Sequence, residues 1–237
     1  MYSIFTEIFT RPLLNLLVFF YQTLPFHDLG LSIILVTILI RLLLYPFVAK
    51  SLRAQKALSD IQPEIKALQE KYKNNKEEQA KQTMELYRTR GVNPFSGCLP
   101  VLVQLPLLIG LVSVFSAITE PGALDQLYGF VARPNTINTV AFGFLNLATP
   151  NVMLAIMAGA TQFLQAYFAP QPVTAGGDSP FAKSMQTQTL YFLPIFITVI
   201  AWRFAAALPL YWVVLNIIGI FQQGGIPKDF LRRRKPH

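Results

Sequence analysis

Charge is scarce in this chain. Only 14% of its 237 residues are Asp, Glu, Lys or Arg, against about 25% in an ordinary soluble domain, and 53% are hydrophobic. That balance points to a polytopic membrane protein. Cysteine is nearly absent: the single Cys98 excludes an internal disulfide and reads as a small buried apolar residue. The two histidines, His27 and His237, form no metal cluster. There is no Gly-rich phosphate loop, no nucleophile–base pattern and no spaced pair of carboxylates, so nothing supports an enzyme and neither cofactor nor metal is expected. The most informative shortage is of acid. None of the long apolar segments contains an Asp or Glu.

Five such segments are present, at 31–49, 99–118, 152–168, 188–202 and 208–221. A membrane-spanning helix needs about 20 apolar residues. The expected fold is therefore an all-α polytopic membrane protein with a bundle of five transmembrane helices. Pro100, Pro106, Pro194 and Pro209 fall within or at the ends of these segments, where neighbouring helices can re-satisfy the freed carbonyls. Residues 1–30 form an extracytoplasmic N-terminal segment. Glu7 and Arg11 interrupt its apolar character and no small-residue cleavage site follows, so it does not read as a cleaved signal. Thr10 is placed to cap a helix with Pro12 in its first turn, and the apolar stretch Leu13 to Tyr21 is too short to span. An interfacial amphipathic helix is expected there.

Cations set the orientation. Ten of the 20 Lys/Arg lie between Lys50 and Arg90, one is Lys183 and five are in the tail 222–237. In a five-span topology all of these fall on one side, and only Arg11, Arg133 and Arg203 on the other. By the positive-inside rule the N-terminus is outside and the C-terminus cytoplasmic.

The segment 50–91 is charged and rich in helix formers. Leu58, Ile61, Ile65, Leu68 and Tyr72 recur at alternating steps of three and four, and Ala80, Met84 and Tyr87 continue a similar stripe after "KNNK". Pro63 marks a bend and Gly91 an end, which predicts an antiparallel cytoplasmic helical hairpin. The stretch 119–149 reads as an extracytoplasmic loop and 169–187 as a Pro/Gly-rich cytoplasmic linker.

In "LSIILVTILIRLLLYPFVAK" Arg41 is the one charge between Leu31 and Ala49. A cation at mid-span costs about 2.5–3.5 kcal/mol on insertion scales. It can be repaid by a buried acid, by snorkelling to an interface, or by a water-containing cavity. The five segments offer no acid, and the central position argues against snorkelling. A polar cavity is therefore expected. Thr37, four residues earlier, shares the helix face of Arg41. Gln104, Gln162, Gln165 and Asn216 add polar groups in other segments, each of which needs a partner or water in lipid. An anion channel or transporter built on Arg41 is the competing reading; inverted repeats would favour it, and none is visible. A purely structural scaffold leaves Arg41 unexplained.

The stretches "RLLLYP", "IQPEIKALQEKY" and "MELYRTRGVNPFSGCLPVLVQLPL", followed by "LYFLPIF" and "LPLYWVVLNIIGIFQQ", closely resemble the YidC/Oxa/Alb membrane-protein insertases. The resemblance covers about residues 28–225 in the right order. It implies a five-span core, a cytoplasmic hairpin, and a groove open to cytoplasm and lipid but closed outside. Arg41 matches the groove arginine. Thr37 and Trp212, with neighbouring Tyr211, match substrate-contacting positions, and either Gln162 or Gln165 matches a groove glutamine. The implied bacterial plasma (inner) membrane protein inserts nascent membrane proteins with short hydrophilic outer segments, without nucleotide hydrolysis, alone or beside the Sec translocon. Its further partners are the ribosome and anionic lipids. The large extracytoplasmic domain of many Gram-negative members is absent from this sequence, the "WRFAAALP" connection lacks the glycine often found there, and the basic tail is short.

Overall fold

The computed structural model describes residues 3–93, 99–118, 120, 122–169 and 187–223, with the side chains of 99–103 excepted. The expected linker and basic tail fall largely on 170–186 and 224–237, outside the described residues, as do Cys98 and Lys183.

The described chain is mostly helical. A π turn, Thr6–Thr10, runs directly into α1 (Arg11–Thr23). Thr10 does not cap: its φ of −66° and ψ of −49° are helical and its side chain makes no capping bond, because the helix has already begun upstream. A short turn leads to α2 (Leu29–Leu43), whose N-terminus is capped by Asp28. Next comes α3 (Tyr45–Asp60), bent by 63° from α2 at Leu44. Pro46 explains the break. It cannot donate to the carbonyl of Leu42, and its ring clashes with that carbonyl in a straight helix. The apolar segment expected to run unbroken from 31 to 49 is thus two helices, and Arg41 lies in the last turn of the first rather than at mid-helix.

α4 (Gln62–Lys71) and α5 (Lys76–Thr89) run antiparallel. Arg90 donates to both oxygens of Glu64 at 2.7 and 2.8 Å, and Gln79 Nε2 donates to Gln69 O at 3.1 Å. Leu58, Ile61, Ile65 and Tyr87 form a small core of their own between α3, α4 and α5. In α5 the buried face differs from the expected one. Met84 is 56% exposed and Ala80 is exposed, whereas Thr83 is 1% exposed and packs inward with Tyr87. Gln79, Thr83 and Leu86 lie on one side of Tyr87 around the helix, and Ala80 and Met84 on the other; packing on α4 selects the first set.

Beyond the hairpin come α6 (Leu99–Ala117), α7 (Val152–Phe168), a second π turn Gln188–Phe192 leading into α8 (Leu193–Ala201), and α9 (Ala207–Gln222). α7 packs along both α8 and α9, α9 along α2, and α2 along α1, with α6 closing against α1 and α9. Small residues permit the closest approach. A Cβ on Gly159 of α7 would meet Thr198 of α8 and, at 2.9 Å, the carbonyl oxygen of Pro194. The main core gathers Leu17, Val18, Leu29, Ile33, Val114 and Leu208. The surfaces of α7 and α8 away from it are also apolar, with Met153, Ile156, Ile195 and Val199 exposed.

Within the stretch expected to be a plain loop at 119–149, residues 122–149 form a strap with structure of its own. It contains a 3-10 turn, Ala123–Gln126, and a two-stranded antiparallel hairpin of β1 (Val140–Ala141) and β2 (Leu145–Asn146). Polar side chains of α1 tie it down. Asn15 Nδ2 donates to Gln126 O at 3.1 Å while Asn15 Oδ1 accepts from Tyr128 N at 2.6 Å. Tyr21 accepts from Asn138 N at 2.9 Å, and Arg11 sits 4.7 Å from the Tyr128 ring centroid. α1 is consequently buried along one face, with Leu13, Leu14, Leu17, Val18 and Tyr21 in the core.

No single helix among the described residues is long and apolar enough to cross a membrane. The bent pair α2 and α3 passes by length and composition, and the remaining apolar helices are shorter.

Candidate functional site

Where α2, α6, α7, α8 and α9 diverge they leave a cavity of about 370 Å³, bordered on one side by the first turns of α3. All eight residues singled out in the sequence line it: Thr37 and Arg41 from α2, Gln104 from α6, Gln162 and Gln165 from α7, and Tyr211, Trp212 and Asn216 from α9. Both candidate glutamines of α7 reach it, because a step of three residues keeps them on one helix face. Ile40, Leu105, Leu193 and Ile197 supply apolar wall between the polar groups. Among the described residues, Arg41 is the only charged side chain in the lining.

Arg41 spans the cavity from the last turn of α2 to α9. Its Nη1 donates to Gln222 Oε1 at 3.3 Å and its Nη2 to the Leu215 carbonyl oxygen at 3.4 Å. Its Nε is buried without a hydrogen-bond partner. No carboxylate among the described residues lies within ion-pair distance, so the positive charge is hydrogen-bonded but not neutralised. In a slot of low dielectric such a charge acts on an incoming anion far more strongly than it would in water.

The other polar groups divide into two kinds. Some are occupied within the fold. Thr37 is 2% exposed and its hydroxyl donates back to Ile33 O at 2.6 Å. Asn216 is 1% exposed and donates to Thr161 Oγ1 at 3.2 Å and Ala158 O at 3.4 Å, which ties α9 to α7. Tyr211 is buried and accepts from Gln104 Nε2, which ties α9 to α6. Others, notably Gln162, Gln165 and Trp212, are half-buried with faces on the cavity. Gly219 makes room for Gln165: a Cβ there would meet the Gln165 side chain, with Cδ at 2.9 Å.

Three polar lining residues were not anticipated. Gln55 lies on α3, in a part of the chain read as hairpin. Gln222 and Gln223 follow Phe221, where the fifth apolar segment was taken to end, yet the helix continues through Gln222. The signal was present in the spacing Asn216, Gly219, Gln222 and Gln223, at steps of three and four on one helix face.

The family described as 60Kd inner membrane protein matches residues 19–233. A protein named membrane protein insertase YidC from Oceanobacillus iheyensis is 35% identical over 209 residues, which cover 86% of this chain and 77% of that protein. Another of the same name, from Francisella tularensis subsp. novicida, is 36% identical over 210 residues, 87% of this chain. The alignment covers 34% of the Francisella protein, so the chain spans about a third of that relative's length. A match running through almost all of the chain, and through helices that together enclose a lone arginine, leads to one conclusion: this chain belongs to the 60Kd inner membrane protein family, that of the YidC/Oxa/Alb insertases.

Proposed function

We propose that this chain inserts nascent membrane proteins into a bacterial inner membrane, using the cavity around Arg41 as a groove for the hydrophilic part of the client. The names of its relatives support the activity. The observation that carries the mechanism is Arg41 itself: a guanidinium inside a bundle of apolar helices, held by neutral acceptors and facing no acid in the cavity. An intramembrane cation without a counter-charge is by default a functional group.

In this reading the five spans are α2 with the start of α3, then α6, α7, the second π turn with α8, and α9. The N-terminus is outside, and the α3–α5 hairpin, the 169–187 linker and the basic tail are cytoplasmic. α1 lies at the outer interface under the strap. A client presents its short outer segment from the cytoplasm, and Arg41 attracts the carboxylates on it. The apolar client helix then passes along the exposed apolar faces of α7 and α9, which include Met153, Ile156, Ile217 and Phe221, into lipid. Burial of the client helix drives the step, and the membrane potential adds about 2.3 kcal/mol per charge per 100 mV for an acidic tail. No nucleotide takes part. The hairpin and tail meet the ribosome and anionic headgroups through their cations, and the chain works alone or with the Sec translocon.

The short spans belong to this reading. α7 has 17 residues and α9 has 16. At about 1.5 Å per residue these reach about 26 and 24 Å, less than a hydrocarbon core of about 30 Å. Local thinning of the bilayer beside the groove shortens the barrier that a client's polar segment crosses.

The test is reconstitution of the purified chain into vesicles without nucleotide, supplied with a newly synthesised single-span client carrying an acidic outer tail. The expected result is a protease-protected tail well above the level in empty vesicles. Protection no greater than in empty vesicles sinks the insertase reading.

A further inference from the structure

Arg41 could have been held by an acid, and is not. Its partner at the end of α9 is the amide oxygen of Gln222, at 3.3 Å, and its second acceptor is a backbone carbonyl at 3.4 Å. Both contacts are longer than the 2.9–3.0 Å typical of such bonds. A carboxylate would bind the same guanidinium at about 2.7–2.9 Å and roughly twice as strongly. The Nε of Arg41 is left over as a buried donor, and the neighbouring Gln223 Oε1 is a buried acceptor with no partner, both in residues lining the same cavity. The groove therefore holds its cation in place with ligands that are easily exchanged and carry no charge.

We propose that Gln222 is a displaceable tether that positions Arg41 across the groove without neutralising it, and that its being an amide rather than an acid sets the preference of the groove for acidic over neutral segments. The inference rests on the insertase reading. In the unloaded groove Gln222 Oε1 fixes the fork of Arg41 towards α9. An entering aspartate or glutamate takes over the Nη1 donor, and Gln222 turns away. A glutamate at position 222 would do the opposite. The change from amide to carboxylate keeps the shape of the side chain but pairs Arg41 internally, so an acidic client would have to compete with a fixed carboxylate. A client tail without charge loses no such attraction.

The experiment uses the full chain in lipid nanodiscs with Trp202→Phe, which leaves Trp212, in the cavity lining, as the only tryptophan of the two. Its fluorescence reports titration with a short aspartate-bearing hydrophilic peptide and with the asparagine counterpart of that peptide. The expected result is that Gln222→Glu lowers the ratio of acidic to neutral affinity about tenfold, equivalent to about 1.4 kcal/mol. Gln222→Leu, which removes the tether and leaves the charge, keeps a preference for the acidic peptide at least as strong as the original. An unchanged ratio in Gln222→Glu, with binding intact, overturns the tether and leaves the groove standing. A ratio lowered equally by Gln222→Leu overturns it too, since the residue would then act only by packing. Absence of binding by either peptide to the parent chain overturns the groove and the tether together.

Discussion

Asp28 and Phe142, 114 residues apart, are joined by a 2.5 Å hydrogen bond from the Phe142 N–H to Asp28 Oδ2. The other carboxylate oxygen caps α2 by accepting from Leu31 N at 2.9 Å. The two non-glycine residues with positive φ among those described are His27, at 46°, and Phe142, at 55°. Both adjoin this carboxylate, and side chains rarely adopt that backbone conformation without surrounding contacts that enforce it. One acid thus starts a helix and fastens the strap above it. Asp28→Ala is expected to lose the cap and orphan the Phe142 N–H, lowering stability by about 2–3 kcal/mol. Asp28→Asn keeps one acceptor and is expected to lose less. Thermal unfolding in detergent checks the order, and equal melting temperatures for both variants and the parent contradict it.

Arg41 touches α9 through two different nitrogens, Nη1 and Nη2. Lysine keeps the charge but cannot span both acceptors. Arg41→Lys is expected to insert acidic-tailed clients at a reduced rate, and Arg41→Ala to fail with them while handling neutral tails better. Protease protection in reconstituted vesicles measures both. Equal failure of the two variants points to a structural fork; equal survival removes Arg41 from the mechanism.

Accessibility differs between residues that share the cavity. With Cys98 replaced by serine, cysteines at Gln104 and Gln162 are expected to react with a membrane-impermeant thiol reagent added on the hairpin side. A cysteine at Thr37, a position 2% exposed, should react far more slowly, and one at Leu154, 7% exposed and in the core, should not react. Labelling in the hairpin but at neither glutamine position would contradict a wet groove.

Two glycines predict different penalties. A Cβ at Gly159 meets the backbone oxygen of Pro194, which cannot move without shifting α8, whereas one at Gly219 meets only the flexible side chain of Gln165. Gly159→Ala is expected to cost about 1–3 kcal/mol, the usual range for overpacking. Gly219→Ala should cost less and push Gln165 further into the cavity. A melting-temperature series in one detergent decides, and the reverse order refutes the packing account.

How much of this could be read from sequence varied with the range of the interaction. Arg41 stood out because it is the sole charge in its apolar run, and the polar residues of the other runs were identifiable by the same contrast. Their convergence on one cavity needed the bundle. Gln222 was missed because the fifth segment was cut where apolar residues stop, while the helix runs one residue further. The break at Leu44 follows from Pro46, a local rule outweighed by the length of the hydrophobic run. In α5 a three-four alternation allowed two stripes on either side of Tyr87, and only the facing arm selects between them. The strap was the least legible part. Its bonds from Asn15, Tyr21 and Asp28 bridge more than 110 residues, and nothing in its composition separates it from an unstructured connection.

The bend of 63° at Leu44 sets the direction of a long arm. α3 contains 16 residues, a lever about 24 Å long at the usual rise per residue. A difference of about 10° in the bend displaces its far end by about 4 Å, close to the width of one side chain. Arg41 lies three residues before the bend and is bonded to α9, so its charge is held by contacts that α3 does not make. The same joint that interrupts an apolar segment therefore sets where α3 lies against the groove, whose wall its first turns and Gln55 form in part, while the charge inside is anchored separately.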